Sequence, residues 1–300
     1  PGAAQFAEEL VATMPKGHDW VVHLVNSGAE AIDLAVLVAR LHTGHFDLLT
    51  LRNSYHGMHF GTMAASGLAL CHQPLAGAPG FVHVHNPDLY RGAYRDDADA
   101  YLDDIRRVID SSTSGAVAGI MVEPIQGYGG VLPMPPGYQR RAAQIVRAAG
   151  GLYISDEVQT GFGRTGASFW AFEQDGVVPD AIVVSKGIGN GFPIAALIVR
   201  RDVAESMAKR KFFNTYGANP MGCAAGRAVL RAVKYRSTDL DRAACLFATV
   251  RGVSGVLGVI FVAFVYGFVW RATGRWVAAA VVAGLVATNA EVIYRAHVTN

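Results

Sequence analysis

Short uninterrupted apolar runs alternate with longer stretches of helical periodicity through the first three quarters of the chain. The runs near Val21 to Val25, Leu48 to Leu51, Phe81 to Val84, Val117 to Val122, Leu152 to Ile154, Ala181 to Val184 and Ala195 to Val199 read as strands. Between them, apolar positions three and four apart predict helices over Ala29 to Leu41, Ala98 to Ile109, Gly137 to Ala149 and Pro220 to Val233. Strands that are apolar throughout, rather than alternately, are covered on both faces. The expected architecture is therefore α/β, with a mostly parallel sheet between two helical layers. Glycine and proline mark the joins, notably at Gly129-Gly130, Pro133-Met134-Pro135-Pro136 and Gly189-Asn190-Gly191.

The pattern changes after about Tyr235. Gly252 to Trp270 is nineteen residues without a charge, and Trp276 to Ala290 is a further fifteen. Residues 236–300 are thus expected to form a hydrophobic, helical tail, within which 252–270 is long enough to span a bilayer and touch a membrane.

Candidate chemistry collects where strand-like runs end. Lys186 closes the run Ala181 to Val184 and is the only lysine between Lys16 and Lys209, in a chain with five lysines and twenty-one arginines. A lone amine partly shielded from water has its charged form disfavoured and becomes a nucleophile toward an aldehyde. Thirty positions earlier, Asp156 closes the run from Leu152. An amine and a buried carboxylate together suit pyridoxal phosphate, an electron sink that needs a protonated ring nitrogen. Val158 can cover one ring face and Gln159 can meet the phenolic oxygen. Tyr55, followed by His56, can cover the other face. Asn26-Ser27-Gly28-Ala29-Glu30 opens a predicted helix, whose free N–H groups and dipole suit a phosphate. Taken singly, Ser27 is an ordinary helix cap, Asp156 a local cap and Lys186 a surface amine. Their common place at strand ends, where open α/β sheets build sites, favours the cofactor.

Composition narrows the alternatives. At 51% hydrophobic and 17% charged residues, the chain can bury a large core, enough for one α/β domain and part of another. A net charge of +2 gives no field that would draw nucleic acid. Cys71, Cys223 and Cys245 have no paired spacing and imply no disulfide framework.

Taken in order, Asn26-Ser-Gly-Ala-Glu-Ala, Tyr55-His-Gly-Met, Glu123-Pro-Ile-Gln-Gly, Asp156-Glu-Val-Gln-Thr-Gly-Phe-Gly-Arg-Thr-Gly, Ser185-Lys-Gly-Ile-Gly-Asn-Gly and Phe213-Asn-Thr-Tyr-Gly-Ala-Asn-Pro220 resemble the class III pyridoxal-phosphate aminotransferases. Within them, His85-Asn-Pro-Asp-Leu-Tyr-Arg-Gly and Gly187-Ile-Gly-Asn-Gly-Phe-Pro resemble the mitochondrial alanine–glyoxylate aminotransferase 2 group.

The resemblance implies a fold type I large domain, like that of aspartate aminotransferase, over residues 1–235. It also implies an incomplete N-terminus without its targeting peptide, and a small domain largely missing. Lys186 would carry the cofactor and shuttle a proton, and Asp156 would hold the pyridine nitrogen. Val158 and Tyr55 would sandwich the ring, with His56 beside it. Ser27, Gly28 and Ala29 would take the phosphate, Gln159 the phenolic oxygen, and Glu123 the substrate side. Thr215 would reach the phosphate of a neighbouring subunit, so the implied enzyme is a homodimer or homotetramer. It would be mitochondrial and would move an amino group from an amino acid such as alanine to glyoxylate or a related 2-oxo acid.

Rival readings are a decarboxylase, racemase or aminomutase of the same fold, and a membrane-tethered or truncated pseudoenzyme that binds the cofactor without efficient turnover. Gly161-Phe-Gly163-Arg-Thr-Gly166 satisfies a GxGxxG dinucleotide pattern, although residues 156–160 separate it from the strand. His83 and His85 share one strand face, but no further ligands complete a metal site in sequence, so no metal is expected. The tail is open to three readings: sequence unrelated to the family, a membrane segment, or a degraded small domain.

Overall fold

The computed structural model describes residues 2–72, 77–208, 210, 212–236, 263, 266–274, 276 and 280. Its contacts divide the chain into Pro1–Arg231 and Ala232–Asn300. In the second unit, residues 266–273 are helical, and the rings of Tyr266 and Trp270 lie 6.2 Å apart. The apolar stretch 252–270 lies for the most part outside the described residues. Among the described residues, no helix is long and apolar enough to cross a membrane.

The first unit begins with a helix the apolar pattern did not single out, α1 (Gly2–Val11), which buries Phe6 and Leu10 one turn apart. Strand β1 (Trp20–Val25) leads into α2 (Gly28–Thr43), which ends at Gly44 with φ 71°, a left-handed cap that glycine adopts without a Cβ clash. Strand β2 (Leu48–Leu51) is followed by the short α3 (Phe60–Ala65), β3 (Phe81–Val84) and α4 (Ala98–Ser112), whose start Asp97 caps by accepting from the Ala100 N–H. Then come β4 (Gly119–Val122), a small hairpin of β5 (Ile125–Gln126) and β6 (Leu132–Pro133), α5 (Tyr138–Ala148) and β7 (Leu152–Asp156). Strands β8 (Ala181–Val184) and β9 (Ala195–Arg200) precede α6 (Arg201–Ala208) and α7 (Pro220–Arg236).

Seven strands form one sheet in the order β1-β9-β8-β7-β4-β2-β3. The pairs from β8 through β7, β4 and β2 to β3 are parallel, and β9 alone runs against its neighbours β1 and β8. Strands β2, β4, β7 and β8 are buried at every residue, the consequence of helices on both faces. One core gathers Ile120, Val122, Tyr153, Ile182 and Trp170 with α4 and α5; the other gathers Met121, Ile154, Val183 and Leu197 with α2 and α6. Alternate residues of each strand thus feed opposite layers.

Because β1 opposes β9 and β9 opposes β8, β1 points the same way as the parallel block. The carboxyl ends of β1, β2, β4, β7 and β8 therefore open on one edge of the sheet. Those five ends carry Ser27, Tyr55, Glu123, Asp156 and Lys186.

Candidate active site

The turn after β2 is brought onto the start of α2 by a glycine. Gly57 has φ 114°, and a Cβ there would stand 2.9 Å from the Cβ of Ala29 and 2.9 Å from Thr62 Oγ1. Only glycine allows this approach, which sets Tyr55 and His56 beside the helix N-terminus. The His56 N–H donates to Ser66 Oγ at 2.8 Å, fixing the backbone just before the turn closes.

His56 and Asp156, a hundred positions apart, meet at 2.7 Å between Nδ1 and Oδ2 with both side chains buried. Asp156 Oδ1 accepts from the Val158 N–H at 3.0 Å, so the residue also serves the local capping role expected of it. Burial pulls the His56 imidazole down, but the Asp156 hydrogen bond and charge, with Glu123 behind them, outweigh it and leave its pKa raised. The far nitrogen, Nε2, is buried and has no hydrogen-bond partner among the described residues.

Glu123 ties two loops together. Its Oε1 accepts from the Tyr55 N–H at 2.8 Å and its Oε2 from the Gly127 N–H at 3.3 Å. Its carboxyl is pushed up to about 7, by burial first; the His56 charge opposes that, the Asp156 charge adds to it, and the two N–H bonds oppose it. Above this clamp the Tyr55 ring lies 4.9 Å from that of Tyr128, a partner the sequence reading did not name.

Lys186 follows β8 with φ 44°, a left-handed conformation costing about 1–3 kcal/mol in a residue other than glycine. Its Nζ donates to Gln159 Oε1 at 3.0 Å. Although the residue as a whole is exposed, enough protein surrounds the ammonium for desolvation to lower its pKa against the pull of the Asp156 and Glu123 charges; Arg164 lowers it further. Gln159 is backed by the 127–130 turn, where a Cβ on Gly127 would fall 2.6 Å from Gln159 Oε1.

At the other end of the site, Ser27 caps α2, its Oγ accepting from the Glu30 N–H at 3.2 Å. The first intrahelical bond of α2 is donated by the Ala31 N–H to the Ser27 carbonyl at 3.1 Å, so the N–H groups of Gly28 and Ala29 before it are available to an anion. A Cβ on Gly28 would lie 3.3 Å from both methyl carbons of Val158, so the valine seats directly on the glycine backbone. Glu30 Oε2 is held away by Asn26 and by Asn214, whose Nδ2 donates to it at 2.8 Å. Thr215, next in sequence, is exposed, and no hydrogen bond joins it to these groups among the described residues.

The structure thus brings Ser27, Gly28, Ala29, Tyr55, His56, Glu123, Asp156, Val158, Gln159 and Lys186 to one edge of the sheet, with Thr215 beside the loop that Asn214 pins. These residues fit pyridoxal phosphate: an amine of lowered pKa, a buried carboxylate, an aromatic ring and a helix N-terminus whose glycine leaves the backbone bare.

The dinucleotide alternative falls on geometry. Residues 161–166 form a series of turns with no helix opening from them, so no helix N-terminus receives a pyrophosphate there. Glu157 instead anchors this loop, its Oε2 accepting from Thr160 Oγ1 at 2.6 Å and its Oε1 from the Phe172 N–H at 2.8 Å. His83 pairs with Thr50 and His85 with Asp104, and no group of three metal-ligating side chains is found among the described residues.

The fold is that of the large domain of fold type I pyridoxal-phosphate enzymes. An amine transaminase from an uncultivated Pseudomonas species, solved in its PLP-bound form, superposes with a TM-score of 0.72 and 29% identity, over 79% of this chain and 58% of that one. The aminotransferase class-III family model matches residues 2–248, and the chain belongs to that family. It is 42% identical over 231 residues to the mitochondrial alanine–glyoxylate aminotransferase 2 homolog 2 of Arabidopsis thaliana, which covers 77% of this chain and 48% of the relative. With the mitochondrial alanine–glyoxylate aminotransferase 2 of Homo sapiens it shares 39% over 257 residues, 78% of this chain and 50% of the relative. The chain spans about half the length of these curated relatives.

Proposed function

We propose that this protein is a pyridoxal-phosphate-dependent transaminase that moves the amino group of an amino acid such as alanine to glyoxylate or a related 2-oxo acid. The observation that carries the reading is the Lys186 amine, held at Gln159 Oε1 with its pKa lowered, facing the charges of Asp156 and Glu123. The names of the relatives support the choice of substrates and a mitochondrial location.

In this reading the bound cofactor supplies an aldehyde that captures the amine and a protonated ring that draws electrons from the substrate α-carbon. Asp156, steadied by His56, keeps the proton at the ring nitrogen. Lys186 Nζ takes up the α-proton and returns it, a role suited to an amine whose burial disfavours the ammonium. Val158, seated on Gly28, and Tyr55 confine the ring between them. The N–H groups of Gly28 and Ala29, with the Ser27 hydroxyl, hold the phosphate. Glu123 fixes Tyr55 and faces the substrate side. Thr215 is assigned to the phosphate site of a second copy, making the working unit a homodimer or a larger assembly.

The test is a half-reaction. Cofactor-loaded protein treated with alanine alone should convert to the pyridoxamine spectrum with release of pyruvate, and glyoxylate should reverse it. Release of carbon dioxide, racemised alanine, or no change would reject transamination.

A further inference from the structure

Glu157 is fully buried, and no step of the proposed reaction uses it. Its backbone N–H donates to the Val183 carbonyl at 2.8 Å, which sets it beside the strand that ends at Lys186. Glu157 closes the turn that follows it in two ways: its Oε2 accepts from Thr160 Oγ1 at 2.6 Å, and its backbone carbonyl accepts from the Gly161 N–H at 3.0 Å. Between those ends stand Val158, seated on Gly28, and Gln159, the partner of Lys186 Nζ. From behind, Oε1 fastens the turn by accepting from the Phe172 N–H at 2.8 Å, next to the buried Trp170, whose Nε1 donates to the Thr13 carbonyl at 3.2 Å. The same segment also bears on the chain beyond the lysine. A Cβ built on Gly187 would lie 3.4 Å from the Phe162 Cβ and 3.6 Å from the Gly161 carbonyl oxygen. Lys186, with its left-handed φ of 44°, is thus held at its amine and at the next residue by one stretch of chain that Glu157 closes.

We infer that Glu157 is a positioning residue for Lys186: by joining Thr160 to Phe172, its carboxyl group holds Gln159 against Nζ and so presents the amine to the cofactor aldehyde. The inference rests on the reading of Lys186 as the residue that carries the cofactor, and adds to it the buried group that places the amine. Burying a carboxyl group is unfavourable unless its oxygens are bonded, so Glu157 is accommodated only with the turn in this arrangement. An amide at position 157 reproduces both bonds, its oxygen accepting from the Phe172 N–H and its nitrogen donating to Thr160 Oγ1. A leucine fills similar space and makes neither. Thr160→Val removes the hydroxyl from the other side of the same contact.

Two ligands separate this role from general support of the site. Pyridoxal phosphate can bond to the Lys186 amine, whereas deoxypyridoxine phosphate keeps the ring and phosphate but has a methyl group in place of the aldehyde and cannot. Both are to be titrated calorimetrically into cofactor-free wild type, Lys186→Ala, Glu157→Gln, Glu157→Leu and Thr160→Val. Wild type should prefer the aldehyde, and Lys186→Ala should lose that preference. Glu157→Leu and Thr160→Val should bind the aldehyde about fivefold more weakly, the worth of one ordinary hydrogen bond, with affinity for the methyl analogue within about twofold of wild type. Glu157→Gln should keep both affinities. Thr160→Val decides the matter should Glu157→Leu fail to fold. An equal loss for both ligands, an unchanged preference in Thr160→Val, or a Glu157→Gln variant that loses the preference would overturn the inference. A wild type that does not prefer the aldehyde would instead overturn the reading of Lys186 beneath it.

Discussion

The imidazole of His56 and the carboxylate of Asp156 form a buried pair, 2.7 Å apart, at the base of the candidate site. Neither is satisfied by solvent, so each depends on the other. His56→Ala should leave Asp156 with the Val158 N–H alone and destabilise the protein by about 3 kcal/mol or more, the usual cost of stripping one partner from a buried ionic pair. Chemical denaturation of the cofactor-free protein checks it; a loss under 1 kcal/mol would mean that the pair does not carry charge.

The pH dependence of stability has a definite sign. Glu157 is buried and its carboxyl is raised to about 7 from the ordinary value of 4.5, by burial first, against its bonds to Thr160, Phe172 and Ala171 and with the Asp156 charge adding to it. The folded state then holds a proton the unfolded state has released, so stability falls as pH rises from 4.5 to 7. Glu123, also raised to about 7, acts in the same direction, as does the raised imidazole of His56 above 6.5. Glu157→Gln, which cannot titrate, should flatten the decline; urea unfolding midpoints at a series of pH values read it directly.

Two glycines make opposite predictions. Gly57→Ala forces a Cβ into left-handed backbone and against Ala29 at 2.9 Å, where nothing can swing aside, and should cost about 3 kcal/mol. Thermal unfolding of this variant beside wild type gives the answer.

Gly127→Ala meets only the end of the Gln159 side chain, which can rotate away. Its stability should stay within about 1 kcal/mol of wild type. The displaced amide no longer holds Lys186, so affinity for pyridoxal phosphate should fall roughly fivefold, the worth of one ordinary hydrogen bond. Paired denaturation and cofactor titrations distinguish this outcome from a general loss of structure.

The strand runs and the residues at their ends were legible because both are local: an apolar run marks a buried strand, and the polar residue that breaks it marks the edge. Direction was not legible, since a run such as Ala195 to Val199 looks the same whichever way it points, and β9 proved antiparallel. Helix α6 starts at Arg201, immediately after the last residue of β9, with no glycine or proline between, so nothing in the pattern announced it. The contacts that organise the site join distant segments: Glu123 to Tyr55, Asn214 to Glu30 and Gly127 to Gln159. Such pairings leave no local signal. Tyr128 was passed over for the same reason, its meaning lying in a ring 73 positions earlier.

The central claim is that Lys186 is the residue that carries the cofactor. Borohydride reduction of the pyridoxal-phosphate-loaded protein, followed by proteolysis and mass spectrometry, should find the phosphopyridoxyl group on Lys186 alone among the five lysines, and none in Lys186→Ala. Label spread over Lys16, Lys209, Lys211 and Lys234, or persisting in the variant, would contradict the account.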